Sequence, residues 1–84
     1  MFTVIWPDAL LALLLEMPEH ETGLILEIAS RLQIIPDVFP VTESPSTFKG
    51  CRACVAGHWT VYYRRVGNEV FIRGLWDDRF PPLD

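Results

Sequence analysis

The stretch Trp59-Thr60-Val61-Tyr62-Tyr63-Arg64-Arg65-Val66-Gly67-Asn68-Glu69-Val70-Phe71-Ile72-Arg73-Gly74-Leu75-Trp76 decides the fold of this 84-residue chain. Trp59 to Val66 is crowded with aromatic and β-branched residues, and so is Glu69 to Trp76. Such side chains fill a pleated, half-buried surface well, so both runs read as strands. Gly67-Asn68 separates them, and a two-residue loop of this kind needs the positive φ that glycine accepts. The pattern repeats one step upstream. Cys51 to Ala56 reads as a strand, and Gly57-His58 as the loop that joins it to Trp59. Three consecutive antiparallel strands are expected.

Two tight loops fix the register, and strand alternation then assigns the faces. Trp59, Val61, Tyr63, Val70, Ile72 and Trp76 fall on one face, joined by Cys54 and Ala56. That is the expected core face. Thr60, Tyr62, Arg64, Phe71, Arg73, Leu75 and Cys51 fall on the other. The second face mixes aromatics with arginines, unlike a plain core or a plain solvated surface.

Working outward, Phe2 to Trp6 reads as a short strand that Pro7 stops. Asp8 is the expected N-cap of a helix from Ala9 to about Met17. Leu10, Leu11, Leu13, Leu14 and Leu15 make that helix apolar nearly all round, so it needs cover on more than one side. The cover is either the sheet with a second helix, or a partner. Leu10, Leu11 and Leu14 are the candidate partner-binding residues. Pro18 and Glu19-His20-Glu21 are expected to form the helix–helix turn. A second helix is predicted from about Thr22 to Gln33, with Leu24, Ile25, Ile28 and Leu32 on its apolar side. Glu27 and Arg31 form an i,i+4 pair on its solvent side, worth about 0.3 kcal/mol. Pro36, Pro40 and Pro45 make the following segment an extended connection. The expected fold class is α+β. A two-helix hairpin packs on a mainly antiparallel sheet of about four strands, in the order β-α-α-β-β-β, as one domain over residues 1–84.

Composition narrows the function classes. Half of the residues are hydrophobic, enough for a core. The longest apolar run, Ala9 to Leu15, is too short to span a bilayer. No charged region precedes it, so it does not read as a signal peptide. A cytoplasmic protein without membrane contact is expected. The net charge is −4, unevenly spread. Residues 1–48 hold Arg31 against seven acids, whereas residues 49–84 hold six basic residues against four acids. The overall charge argues against non-specific nucleic-acid binding but leaves room for a local site in the hairpin half.

Arg64, Arg73 and Arg79, with Tyr62, are the strongest candidates for such a site. Guanidinium forks suit phosphate or carboxylate, and an aromatic neighbour stacks a base. The same residues would also serve as a solubilised sheet face with cation–π contacts to Tyr62 and Phe71. His58 sits in a turn and reads as a polar turn residue. His20 lies in the expected helix–helix turn and reads as solvated. Cys51-Arg52-Ala53-Cys54 has CxxC spacing, but no second ligand pair accompanies it, and residues three apart on a strand diverge. Two reduced thiols are expected, with neither metal nor cofactor. Phosphate loops, dinucleotide turns and nucleophile elbows are absent from the sequence.

Gly57, Trp59, Thr60, Val61 and Tyr63, followed by Asp78, Arg79 and Pro81, resemble the RelE/ParE superfamily of bacterial toxins. The similarity in element order covers nearly the whole chain. It implies the toxin, or toxin-like, component of a type II toxin–antitoxin pair, in the setting of plasmid stabilisation or stress response. Its partners would be a cognate antitoxin that buries apolar surface, and a target. The target is either DNA gyrase, held by protein contact, or the ribosome with its mRNA. In the second case Arg79 would stabilise phosphate charge, with Lys49 and His58 as the other catalytic candidates. Tyr62, Arg64 and Arg73 would bind nucleic acid or target. Thr60 and Phe80 stand where the family carries arginines, which favours protein contact over RNA cleavage. The alternative is a non-toxic member acting as an interaction module, with homodimerisation as one form.

Overall fold

The computed structural model describes residues 1–81. Its elements are β1 (Thr3–Ile5), α1 (Asp8–Glu16), α2 (Glu19–Leu32), β2 (Arg52–Ala56), β3 (Trp59–Val66) and β4 (Glu69–Asp77). Two helices pack on one four-stranded mixed sheet, so the architecture is α+β in the order β-α-α-β-β-β. The strands lie in the spatial order β1-β4-β3-β2. β2, β3 and β4 run antiparallel, and β1 lies parallel to β4. The helical excursion after β1 permits that parallel edge, which no tight loop would allow.

Both hairpin loops have two residues, because Ala56 faces Trp59 and Val66 faces Glu69. Gly57 and Gly67 take φ of 64° and 59°, while among the described residues no non-glycine has positive φ. Positive φ at the first loop position alone matches a type II′ turn.

The face assignment holds from Trp59 to Ile72 and then breaks. Tyr63 pairs with Ile72, but Tyr62 pairs with Gly74, so Arg73 is an extra residue in β4. A bulge of this kind inverts the side-chain parity beyond it. Leu75, expected outside, pairs with Val61 and is buried in the core. Trp76, expected in the core, pairs with Thr60 and is only half-buried. The core joins Leu14, Ile25, Ile28 and Leu32 of the helices to Trp59, Val61, Tyr63, Val70, Ile72 and Leu75 of the sheet. Cys54 and Ala56 complete it from β2.

The helix boundaries also shift. Pro7, not Asp8, occupies the N-cap of α1, and Asp8 is its first helical residue. Its carboxylate lies at the positive end of the helix instead of capping it. Pro18 caps α2, so Glu19, His20 and Glu21 are helical instead of forming a turn. Proline lacks an N–H and pre-sets φ, which suits a helix start. Thr22 Oγ1 donates to the Leu14 carbonyl at 2.8 Å and ties the two helices together.

The connection from α2 to β2 is more structured than three prolines suggest. It contains one-turn 3-10 helices at Pro36–Val38 and Ser46–Phe48. Between them, Val41 bridges to Arg52, and Ala53 N–H donates to the Pro40 carbonyl at 3.0 Å. The start of the β2 edge is thereby covered, which limits strand addition there. Among the described residues no helix is long and apolar enough to cross a membrane.

Candidate functional site

Two arginine clusters lie toward opposite ends of the β2–β3 ladder. The first forms where Trp59 opens β3 and Asp77 closes β4, which face each other across the sheet. α2 presents Glu21 in phase with Ile25, Ile28 and Leu32, and so places a carboxylate on the buried face of the helix. Glu21 is only 5% exposed. Trp59 Nε1 donates to Glu21 Oε1 at 2.7 Å, and Arg79 Nη2 donates to the same oxygen at 2.6 Å. Arg79 also donates to Asp77, from Nε at 2.8 Å and from Nη2 at 2.9 Å. Hydrogen bonds from Trp59 and then Arg79 hold the Glu21 carboxyl below its usual range, against the opposing effect of burial. The Arg79 side chain does the same for Asp77. Arg79 is itself held more firmly protonated, first by Asp77 and then by Glu21.

His58 stands beside this network, its Nδ1 3.3 Å from an Asp78 oxygen. The structure thus brings Arg79 and His58 near each other but gives each an acidic partner. Lys49 precedes β2, whereas His58 follows it, so the third candidate lies toward the other end of the strand. It pairs with Glu43 at 3.8 Å on the surface. Arg79 Nε and Nη2 are spent on carboxylates, and among the described residues Nη1 is its one side-chain nitrogen without a protein acceptor. This arrangement clamps a fold more readily than it grips a phosphate.

Tyr62 is not available as a stacking platform. Phe48, in the connection to β2, stacks on its ring with centroids 4.3 Å apart and planes 12° apart. The same Phe48 ring lies over Gly74, where an added Cβ would come within 2.3 Å of it. Glycine is therefore required at the bulge so that the clasp can close. Arg73, the extra residue of the bulge, is exposed. Of the partner-binding candidates, Leu14 is buried in the core and Leu10 is half-buried against it. Leu11 is exposed, as is Leu15, which is 88% exposed. An apolar recess lined by Trp59, Leu75, Trp76 and Phe80 adjoins the Arg79 network.

The second cluster occupies a notch. β2 begins at Arg52, opposite Tyr63, so Arg64, Arg65 and Val66 of β3 extend beyond it. Arg52, Arg64 and Arg65 line the resulting cleft with Asp37, Gly50 and Tyr63. Arg65 Nε donates to Asp37 Oδ1 at 2.8 Å, and this bond holds the Asp37 carboxyl below its usual range. Arg52 Nη1 donates to the Phe39 carbonyl at 2.6 Å. Among the described residues, the Arg64 side chain has no hydrogen-bond or ion-pair partner. Below them, Tyr63 is fully buried, and burial pushes its hydroxyl up to about pKa 12.

Sequence reasoning did not single out Glu21, Asp37, Phe48, Arg52, Arg65 or Asp77 as site residues. Glu21 alone left a signal, since a charge in phase with Ile25, Ile28 and Leu32 marks a buried ionic partner. Cys51 and Cys54 are buried free thiols, and among the described residues no group of three or more His, Cys, Asp or Glu side chains is placed to hold a metal. Comparison of the chain with protein-family models, with curated proteins and with solved structures finds no match in any of the three.

Proposed function

We propose that this protein is a toxin-like domain of the RelE/ParE type that acts by protein contact, not by RNA cleavage. The observation that carries this reading is the engagement of Arg79 with Glu21 and Asp77. An RNA-cleaving site needs cations free to hold phosphate and a group placed to take a proton. Here Arg79 is committed, Tyr62 is covered, and Lys49 lies away from both Arg79 and His58. Contact with another protein needs only surface. Leu11 and Leu15 of α1, and the recess bordered by Phe80, supply exposed apolar area for it.

Controlled expression of the chain alone in a bacterial host tests this reading, with reporters for DNA damage and for translation. Growth arrest with DNA damage signalled and early translation intact is the expected result. Early loss of translation with cleaved mRNA would contradict it. The second reading, a non-toxic interaction module, rests on the same engaged Arg79. It would be marked by normal growth while soluble protein accumulates.

A further inference from the structure

We infer that the notch beyond the start of β2 is a binding site for a phosphate group, with Arg64 as its principal ligand. The inference does not rest on the toxin reading, although the family resemblance also makes Arg64 a target-binding candidate.

Three arginines and one aspartate line the cleft, so it is electropositive within a protein of net charge −4. Its arginines differ in what remains unspent. Arg65 gives Nε to Asp37 and Nη1 to the Gly67 carbonyl at 3.0 Å. Arg52 gives Nη1 to Phe39, and its Nε lies 3.8 Å from Asp37 Oδ1. Each therefore keeps Nη2, while Arg64 keeps its whole fork. A fork presenting two parallel N–H groups fits two oxygens of one phosphate.

The backbone contributes as well. Trp59, Val61 and Tyr63 face Ala56, Cys54 and Arg52 in the β2–β3 ladder, and antiparallel pairs alternate in direction. The next position in that series is Arg65, whose N–H and carbonyl both face the side on which β2 has not begun, so the N–H adds one donor there. Gly50 lies close beside the Arg64 fork. Its φ is 88°, and an added Cβ there would lie 3.0 Å from Arg64 Nη2. The close approach leaves the guanidinium resting against bare backbone. Phosphate is favoured over carboxylate because several separate donors surround the cleft, and a phosphate offers more acceptor oxygens than a carboxylate. The ligand is either the free anion or a phosphomonoester.

The test is an NMR titration of the whole protein with inorganic phosphate, against chloride at matched ionic strength, followed at arginine Nε–H and backbone amides. A saturable shift confined to Arg64, Arg65, Arg52 and Gly50 is expected. Arg64→Gln should weaken the midpoint by about tenfold or more, whereas Arg73→Gln should leave it unchanged. Adenosine monophosphate should move the same resonances, more tightly than phosphate if the natural ligand is a phosphomonoester. Linear shifts without saturation, equal effects of the two substitutions, or acetate binding as tightly as phosphate would overturn the assignment. Amide spectra of both variants report directly whether each remains folded.

Discussion

Arg79 and Arg64 lie toward opposite ends of the β2–β3 ladder and differ in what they already hold. Arg79 joins two carboxylates, one of them buried on α2, and so links the last turn after the sheet to the helical layer. Arg64 holds nothing within the described protein and faces a cleft whose only acid is already paired. Sequence gives both the same type and similar strand-end settings. What separates them is the element packed opposite. At the Arg79 end α2 supplies Glu21, and at the Arg64 end the connecting segment supplies a glycine. An arginine that resembles a family's functional residue is therefore uninformative until its acidic neighbours are placed.

The largest effect is expected where the connecting segment crosses the sheet. Gly74→Ala puts a methyl group into the Phe48 ring and should cost about 1–3 kcal/mol in equilibrium denaturation. The same substitution in a Phe48→Ala background should cost much less, because the two residues meet directly. Equal cost in both backgrounds would show that the clasp does not close over Gly74.

A smaller loss is expected from Trp59→Phe, which removes one donor to the Glu21 carboxylate and keeps one aromatic ring in the core. Thermal unfolding should show a lower midpoint, and combining it with Glu21→Gln should cost less than the sum of the two single losses, since both remove the Trp59–Glu21 bond while the Arg79–Glu21 pair is lost only with Glu21. Additive losses would place Trp59 and Glu21 in separate roles. Smallest is the effect of Arg64→Gln, expected within about 0.5 kcal/mol of the parent in denaturation. A larger loss would mean that Arg64 has a structural partner after all.

Much of this fold is legible in the chain itself. Gly57-His58 and Gly67-Asn68 declare both hairpins, and β-branched and aromatic runs declare the strands between them. Alternation identifies Val61, Tyr63, Val70 and Ile72 as core, because two-residue loops leave the register no freedom. The reading fails at Leu75 and Trp76, where one extra residue inverts the parity. Gly74 is the trace of that bulge, but a glycine inside a strand has several other meanings. Pro18 was legible as a stop for α1, yet it also starts α2, and proline at a helix start looks the same as proline in a turn. The site was less legible than the fold. Arg79 and Glu21 are far apart in sequence, and nothing local announces that they meet. Phe48 likewise reaches Tyr62 only through the fold of its connection.

The most direct test is the pH dependence of stability for Arg79→Gln beside the parent protein. The Glu21 carboxyl is held below its ordinary value by Trp59 and then Arg79, and the Asp77 carboxyl by Arg79. Groups depressed in this way stabilise the fold above their unfolded pKa, and that contribution is lost as pH falls through the folded one. The account predicts that Arg79→Gln is less stable than the parent at pH 7 and that the gap narrows below about pH 4. A variant as stable as the parent at pH 7, or a gap that ignores pH, would show that Arg79 is not a clamp and would return it to the candidates for chemistry.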